Sequence, residues 1–435
     1  MGGQPKEARE NDVREAVASA AAGERLRIVA ALIRMTGDWT LAEDCVQDAF
    51  ARALSHWPRS GIPSNPAAWL TTVAKNRAID CLRRSATEST MRRNLSVVAE
   101  LEQLGKDGSV GLDGLFPADD RLRLIFTCCH PALPMDARVA LTLHTVAGLA
   151  TSEIARAFLV SESTMAKRLV RARAKIRNAG IPYRIPPPHL LPQRANGVFA
   201  VLYLLFNEGY SATSGETLLR TPLALEAVRL TRLLVALVEK TPQGPEALGL
   251  LALMLFNLAR SAARIDPAGD IVTLEDQDRL LWDQDAVGEG TAVLREAGHR
   301  RRGGNEQPGR YELQAAIAAC HMAARDAAST DFARIAHLYD ALAFIAPSPV
   351  VDLNRAVAVA MSQGPEAGLE LIDRLDETGP LGGYYLFPAT KADLLRRLGR
   401  KAEAANEYRR ARELAPSEAE RRYLGRRLDE AEASI

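Results

Sequence analysis

A helix predicted after Ser161 carries cationic side chains on one side, and a row of cations could hold nucleic-acid phosphates. Its apolar positions recur at spacings of four, three and four residues, at Met165, Leu169, Ala172 and Ile176. This stripe predicts an amphipathic helix whose apolar back packs against a core. The opposite side presents Thr164 near the helix start, then Lys167, Arg168, Arg171 and Lys175.

A shorter helix is predicted just before this one. Thr151 is a suitable N-cap, and Ile154, Ala155 and Phe158 share one apolar face. A short capped helix, a tight turn and a second helix with a cationic front are typical of a helix-turn-helix. The second helix of such a motif enters the DNA major groove. From these residues alone, the alternative is an ordinary amphipathic helix with a solvated charged face.

The composition predicts an all-α protein with more than one domain. A chain of 435 residues is long enough for about two to four domains. Hydrophobic residues make up 47% of the chain, which suffices for real cores, whereas alternating runs of β-branched residues are nearly absent. The net charge is only +1, so any basic surface must be local and offset elsewhere.

The cysteines favour reduced thiols over a disulfide framework. They form no CxxC pair and are odd in number: Cys45, Cys81, Cys128, Cys129 and Cys320. With no signal peptide, this predicts a cytoplasmic protein. Cys128 and Cys129 precede His130, but adjacent cysteines lack zinc-ligand spacing, so we expect no metal and no other cofactor. The longest apolar run, residues 247–259, is too short for a bilayer, so we expect no membrane association.

An acidic strip is predicted on a helix near the N-terminus. Residues 1–24 are polar and predict a flexible segment, which a helix over residues 26–35 follows. The next helix covers residues 41–54, where Thr40 and Glu43 have the spacing of a capping box. Its outward side consists of Asp44, Gln47 and Asp48. Such strips are usually only solvated surface.

A third helix, over residues 67–84, ends in a basic cluster. Asn65 and Pro66 suit its N-cap and first helical position. Its apolar positions include Trp69, Leu70, Val73 and Ile79. Its second half is rich in polar and cationic residues, namely Lys75, Asn76, Arg77, Asp80, Arg83 and Arg84.

Three stretches, in this order, resemble the DNA-binding regions of bacterial RNA polymerase sigma factors. LAEDCVQDAFARAL and PAAWLTTVAKNRAIDCLRR are similar to region 2, and the helix-turn-helix is similar to region 4. The short form, which lacks regions 1.1 and 3, resembles the extracytoplasmic-function (ECF) group. DDRLRLIFTCCHPALP and the long helical C-terminal part further resemble the ECF subgroup with a tetratricopeptide-like tail.

The resemblance implies a role for each of three residue sets. The set that matches the docking surface for the polymerase β′ clamp is Asp44, Gln47 and Asp48. The set that matches the reader of the minus-10 element, where a base leaves the stack, is Asn76, Arg77, Asp80, Arg83 and Arg84. The set that matches the minus-35 reader, extended here by Lys175, is Ser163, Thr164, Lys167, Arg168 and Arg171. Ala166 replaces a Lys or another polar residue of many relatives, so base preference cannot be transferred.

The stretches that resemble sigma regions, and the glycine- and proline-containing segments between them, predict the domain order. Sigma region 2 is expected over residues 25–88, a glycine-containing linker over 89–120, and region 4 over 121–180. A proline-rich connector, residues 181–192, should be extended and semi-rigid. The rest divides into a helical extension and tetratricopeptide-like repeats, over residues 193–345 and 346–435.

The predicted repeats rest on a recurring tripeptide. Ala346-Pro347-Ser348 recurs as Ala415-Pro416-Ser417, with Pro380 about halfway between them, and Gly364 matches Gly399 at one period. The period is close to the ~34 residues of tetratricopeptide helix pairs. Stacked helix pairs form a concave surface suited to a peptide or a protein, so a protein partner is expected there. The alternative is a packed solenoid without a partner of its own.

The resemblance therefore implies a sigma factor. Such a protein would bind core RNA polymerase, recognise the minus-35 and minus-10 elements of promoter DNA and start transcription, and its tail would regulate this activity. The alternative is a helix-turn-helix regulator that binds DNA without polymerase, with a tail that senses a ligand or partner. The patterns disfavour an enzyme, because no GxSxG, P-loop, Rossmann glycine pattern or HExxH occurs.

Overall fold

Helices dominate the part of the chain that the structure describes. The structure is a computed structural model, and it describes residues 4–84, 119–146, 148–158, 160–210, 221–302, 307–379 and 381–433. These residues contain no β-strand, only one isolated antiparallel bridge between Ile265 and Ile271. The predicted all-α fold class is confirmed. The chain divides into two compact units, Met1–Val201 and Leu202–Ile435, each described by itself below.

The first unit begins with three long helices. They are α1, Gln4–Thr36; α2, Trp39–Ser60; and α3, Pro66–Arg84. α1 begins well before residue 26, where the sequence predicted its start, so a helix occupies most of the segment expected to be flexible. Val13 and Val17 on this added stretch are buried, and their burial gives the helix a reason to extend.

The start of α2 corrects another prediction. Asp38, not Thr40, is the N-cap, because Asp38 Oδ1 accepts a hydrogen bond from the backbone N–H of Leu41 at 3.1 Å. The predicted capping box of Thr40 and Glu43 is therefore wrong. Glu43 lies inside the helix instead, and its side chain is buried. The helix also continues past residue 54 and ends at Gly61.

Aromatic packing fixes α2 against α3. Trp57 of α2 meets Trp69 of α3 edge to face, with 5.4 Å between the ring centroids. Asn65 caps α3 as predicted, since its Oδ1 accepts a hydrogen bond from the backbone N–H of Ala68 at 3.0 Å. This packing decides which sides of the two helices are exposed.

Four further helices form the helix-turn-helix part of the first unit. They are α4, Asp119–Cys128; α5, Met135–Thr145; α6, Thr151–Ala157; and α7, Glu162–Asn178. α7 begins after Ser161 as predicted, and its four predicted apolar positions are buried. Most of the predicted linker lies outside the described residues, and α4 begins at its end, at Asp119.

The proline-rich connector leads straight into a packed helix. A one-turn 3-10 helix, Pro188–Leu190, is followed by α8, Leu191–Tyr210. The first half of α8 belongs to the first unit, where Ala195, Val198 and Phe199 are buried. A truncation within the connector would therefore remove core residues of the first unit.

The second unit continues with apolar helices. They are α9, Thr221–Val238; α10, Gly244–Ala259; α11, Gln284–Arg302; and α12, Arg310–Ala323. α10 is buried on nearly all sides and packs against both α11 and α12. A glycine permits the second contact, because a Cβ on Gly249 would lie 2.5 Å from the backbone nitrogen of Glu312.

Six helices complete the second unit. They are α13, Phe332–Ile345; α14, Pro349–Gln363; α15, Pro365–Thr378; α16, Leu386–Arg397; α17, Lys401–Leu414; and α18, Glu418–Glu432. Each packs mainly on its neighbours in sequence, as stacked helix pairs do. Ser348 and Ser417, from the recurring tripeptide, are the N-caps of α14 and α18. The tetratricopeptide likeness itself stays a prediction.

The close approach of α10 to α12 generates a stability prediction. Gly249→Ala should lower the free energy of unfolding by about 1–3 kcal/mol, because a backbone must move to admit the methyl group. Gly425→Ala on α18 is the control, since a Cβ there would meet no described atom within 4 Å. It should be neutral or stabilising by up to about 1 kcal/mol. Urea unfolding measures both, and an unchanged midpoint for Gly249→Ala would contradict the packing.

Candidate functional site

The N-terminus of α7 is organised around Ser161. The Ser161 Oγ accepts a hydrogen bond from the backbone N–H of Thr164 at 3.3 Å. The same oxygen lies 3.1 Å from Ser163 Oγ and 2.8 Å from Thr164 Oγ1. The hydroxyl groups of Ser163 and Thr164 are thus exposed and held at the helix start, where the partial positive charge of the helix also favours anions.

The cationic side of α7 is exposed, with one exception. Lys167, Arg171 and Lys175 are exposed, as the pattern predicted. Arg168 is half-buried, because its guanidinium lies over the ring of Phe158, 5.5 Å from the centroid, and 3.7 Å from Asp136 Oδ2. Arg168 therefore ties α7 to α5 and to the end of α6 while the other three face solvent.

Val170 is an exposed apolar residue on the same helix, and the sequence reasoning missed it. Its relative exposure is 61%, and it lies between Lys167 and Arg171 on the outer side of α7. The sequence did contain a signal for it, because Val170 lies outside the predicted apolar stripe of this helix. An exposed apolar side chain of this size suits contact with the methyl group of thymine.

The predicted minus-10 residues share one helix, α3. Asn76, Asp80, Arg83 and Arg84 are exposed. Arg77 is half-buried, because its Nε lies 3.5 Å from Asp48 Oδ2 on α2. One predicted DNA-binding residue is thus paired with one predicted polymerase-binding residue.

The acidic strip of α2 is only partly available. Asp44 and Gln47 are exposed, but Asp48 is half-buried between Arg77 and Arg52, whose Nε lies 3.1 Å from its Oδ2. Asp48 therefore also positions α3. A substitution at Asp48 would disturb two helices, whereas substitutions at Asp44 and Gln47 change only the surface.

A buried polar cluster joins α2 to α7, and no sequence pattern indicated it. The Glu43 side chain is only 5% exposed, and its Oε2 lies 2.6 Å from Nη2 of Arg173 on α7. Trp39 Nε1 donates a hydrogen bond to Glu43 Oε1 at 3.3 Å, and Nε2 of His144 lies 4.0 Å from that oxygen. α2 and α7 are thus held together through one carboxylate.

The cluster holds more positive than negative charge. Burial lowers the pKa of Arg25, which the Glu43 carboxylate raises and Arg173 lowers further. Burial is also the main reason that the pKa of His144 lies below its ordinary value, with Arg173 and Arg25 acting in the same direction against Glu43. Because burial lowers the pKa of His144, protonation of His144 opposes the closed arrangement, in which Glu43 contacts Arg173. This arrangement is therefore most stable at high pH. The contact should weaken as the pH falls through about 6.5.

The buried cysteines are packed thiols. Burial raises the pKa of Cys129 to about 12 and that of Cys128 well above its usual value. The described residues contain no group of three His, Cys, Asp or Glu side chains that could hold a metal. None of the helices in the described ranges is both long and apolar enough to cross a membrane.

Family models match three parts of the chain. Residues 24–88 match sigma-70 region 2, which includes α2, α3 and the end of α1. Residues 123–176 match sigma-70 region 4, which includes α6 and nearly all of α7. Residues 194–298 match a family of unknown function, DUF6596. No solved structure matches the chain.

Known relatives agree with these matches. The chain is 35% identical over 138 residues to the ECF RNA polymerase sigma factor SigL of Mycobacterium tuberculosis, a match that spans 32% of this chain and 73% of SigL. This chain belongs to the ECF family of RNA polymerase sigma factors. SigJ of the same organism is 28% identical over 246 residues, 54% of this chain and 76% of SigJ. An uncharacterized protein of Rhizobium meliloti, R00370, is 42% identical over 93% of both chains.

Membership confirms the sigma factor role that the sequence predicted. Sigma factors are transcription initiation factors and not enzymes, and the family implies core RNA polymerase and promoter DNA as partners. The family models include all three predicted residue sets but assign no role to any single residue. The residue roles therefore stay predictions.

The recognition helix generates a testable prediction. The assay is transcription with core polymerase from a promoter selected by run-off screening of genomic fragments. The double variant Lys167→Ala, Arg171→Ala should lose about 1–3 kcal/mol of promoter-binding free energy for each of the two side chains that binds a base. A cation that touches only phosphate should cost less and reduce the salt dependence. Arg14→Ala, an exposed cation on α1, is the control. Full promoter activity in the double variant would place DNA recognition elsewhere.

Proposed function

We propose that this sigma factor docks on core RNA polymerase through the exposed strip of α2, reads the minus-10 element with α3 and reads the minus-35 element with α7. Exposure of Asp44 and Gln47 on α2 supports the first role. The cations and short polar groups on α3 suit a melted strand, since they hold the backbone and accept an unstacked base. The cationic side of α7 suits a major groove.

Within α7, we assign different tasks to neighbouring residues. Lys167, Arg171 and Lys175 contact bases or phosphates, whereas Arg168 positions the helix through Asp136 and Phe158. Val170 contributes an apolar contact that favours thymine in the minus-35 element.

The observation that carries the further regulatory proposal is the contact between Glu43 and Arg173. A path from Lys167 to Arg77 runs along α7, through the Glu43–Arg173 contact, along α2 and through the Asp48–Arg77 pair. The helical rise and side-chain lengths along this path place Lys167 and Arg77 within roughly 45 Å of each other. Two promoter elements centred about 25 base pairs apart are separated by about 85 Å along a straight duplex. The closed arrangement therefore cannot read both elements at once, and the contact must open before initiation.

The contact is suited to opening because it contributes specificity more than stability. Two half-buried guanidinium groups and one buried carboxylate lie together, so desolvation offsets much of their attraction. Polymerase binding, which separates the two regions, then needs to overcome only a modest free energy. The closed form acts as a resting state.

We further propose that the C-terminal unit regulates activity in cis. Fusion to the DNA-binding regions gives a high effective concentration, so even a weak contact would be populated. The second candidate function, a helix-turn-helix regulator that acts without polymerase, would bind DNA alone and leave the promoter choice of core polymerase unchanged. A pull-down with core polymerase, followed by promoter-dependent transcription, separates the two.

Polymerase docking is tested with two exposed residues of α2. Asp44→Arg with Gln47→Arg should abolish co-purification with core polymerase, because like charges at an interface cost several kcal/mol. Asp48 is left unchanged, since its loss would also disturb Arg77. The control is Asp12→Arg with Glu15→Gln, at exposed positions of α1. It changes the net charge by the same amount as the α2 variant and should bind core polymerase normally. Retained binding by the α2 variant would make the strip mere solvated surface.

The resting state is tested by removing one charge. Glu43→Gln keeps an acceptor for Trp39 but no longer pairs with Arg173, so the open form becomes more populated. The apparent affinity for core polymerase should rise by about tenfold or more if the closed form dominates. For the wild type, affinity should also rise between pH 8 and pH 6 as His144 is protonated.

The control for this test is a second ion pair of the same helix. Asp136→Asn removes the exposed partner of Arg168 and should leave core affinity unchanged, because exposed pairs contribute little. Small-angle scattering checks that Glu43→Gln expands and Asp136→Asn does not. Unchanged affinity and unchanged dimensions of Glu43→Gln would show that the contact does not limit opening.

A further inference from the structure

A cavity of about 860 Å³ lies within the second unit. Side chains of α13, α14, α16, α17 and α18 form its walls, and residues 271–279, between α10 and α11, cover part of it. Its size is that of pockets which bury small organic ligands. None of the residues proposed for DNA or polymerase binding contributes to it.

The covering segment, residues 265–282, bridges the two ends of this run of helices and is here called the strap. At one end Asp270 accepts hydrogen bonds from Arg422 and Arg426 of α18. At the other, Arg279 Nη1 donates to the backbone carbonyls of His321 and Ala324, at the end of α12 and just after it, at 2.7 and 2.6 Å. The strap is therefore fixed at both ends beside the cavity, so the cavity suits a short ligand better than a continuous extended peptide.

One wall of the cavity concentrates arginines around a single carboxylate. Arg396 and Arg427 donate hydrogen bonds to Asp393 Oδ1 at 2.6 and 3.3 Å, and Arg397 donates to Oδ2 at 2.7 Å. Although burial raises the pKa of Asp393, the guanidinium groups of Arg396 and Arg397 lower it below its ordinary value. Asp393 is therefore an anion already shared by three cations.

The cations of this wall retain capacity for a further anion. Besides Asp393, Arg397 pairs with Glu275 and Arg427 with Glu430, but these two carboxylates are 52% and 58% exposed and so screened by solvent. The buried Nε of Arg427 has no hydrogen-bond acceptor among the described residues. Arginines suit the two oxygens of a carboxylate, because their donors form a planar fork.

The rest of the helical lining includes apolar side chains. Among them are Ile335 and Tyr339 of α13, Val357 and Met361 of α14, and Leu386 of α16. His321 also lines the cavity, and burial, aided by Arg260 and Arg279, lowers its pKa to about 4, so it is neutral at pH 7. The cavity thus combines a wall on which arginines meet carboxylates with a lining that is apolar.

We propose that this cavity binds a small amphipathic organic acid, with its carboxylate at Arg396, Arg397 and Arg427 and its hydrocarbon body against α13 and α14. This site is distinct from the DNA and polymerase surfaces and does not depend on the roles proposed for them. The ligand carboxylate would displace the exposed carboxylates of Glu275 and Glu430 from Arg397 and Arg427.

The test uses dodecanoate as the probe and the full-length chain. Isothermal titration should detect dodecanoate binding, while dodecanol and dodecylamine, which share its body but lack the carboxylate, should bind at least about tenfold more weakly. Met361→Trp, which fills the apolar side, should abolish binding. Arg427→Gln should weaken it by about tenfold. Arg409→Gln, which breaks an exposed pair with Glu432 away from the cavity, is the matched control and should bind normally.

Each outcome supports or overturns the site. Binding that requires the carboxylate, Arg427 and the space beside Met361 supports it. Equal binding of dodecanol, or unchanged binding to Met361→Trp, would overturn it, as would no binding to the wild type. Tight binding of an acidic decapeptide that dodecanoate cannot displace would also overturn it in favour of a peptide surface. Circular dichroism and thermal melting of each variant confirm that it is folded before binding is interpreted.

Discussion

A carboxylate from which water is excluded needs a positive partner within the protein, and Glu43 finds that partner in Arg173. The two residues belong to helices with different tasks, because α2 belongs to region 2 and α7 to region 4. Their pairing sets how the two regions of the first unit are held. Exposure of the cationic side of α7 and of the acidic strip on α2 follows, since each helix buries the side that carries this pair.

The position of Glu43 beside Asp44 lets one helix serve two surfaces. Successive residues on a helix point about 100° apart, so Glu43 can face α7 while Asp44 faces solvent. The polymerase docking that we propose for the outer side of α2 and the Glu43–Arg173 contact on its inner side would therefore use one helix. A tilt of α2 on docking would displace Glu43, which agrees with the proposal that the contact opens.

The sequence was informative where the signal is periodic and poor where it depends on a distant partner. The stripe of Met165, Leu169, Ala172 and Ile176 predicted the buried side of α7 correctly, because spacing alone determines it. Glu43 was misassigned to a capping box, since Thr40 and Glu43 have the right spacing and only the structure places Asp38 at the cap. Arg173 resembled any other cation of α7, and the acid opposite it lies far away in sequence, on α2.

A near-neutral chain can still bind DNA because its cations are used unequally. In the second unit they pair with acids, as Arg397 does with Asp393 and Glu275. On α7, Lys167, Arg171 and Lys175 are exposed and form no ion pair with the described residues. An unpaired cation exchanges only counterions and water for a phosphate, whereas a paired one must first give up its carboxylate. The local pattern of pairing, and not the net charge of +1, therefore decides where nucleic acid can bind.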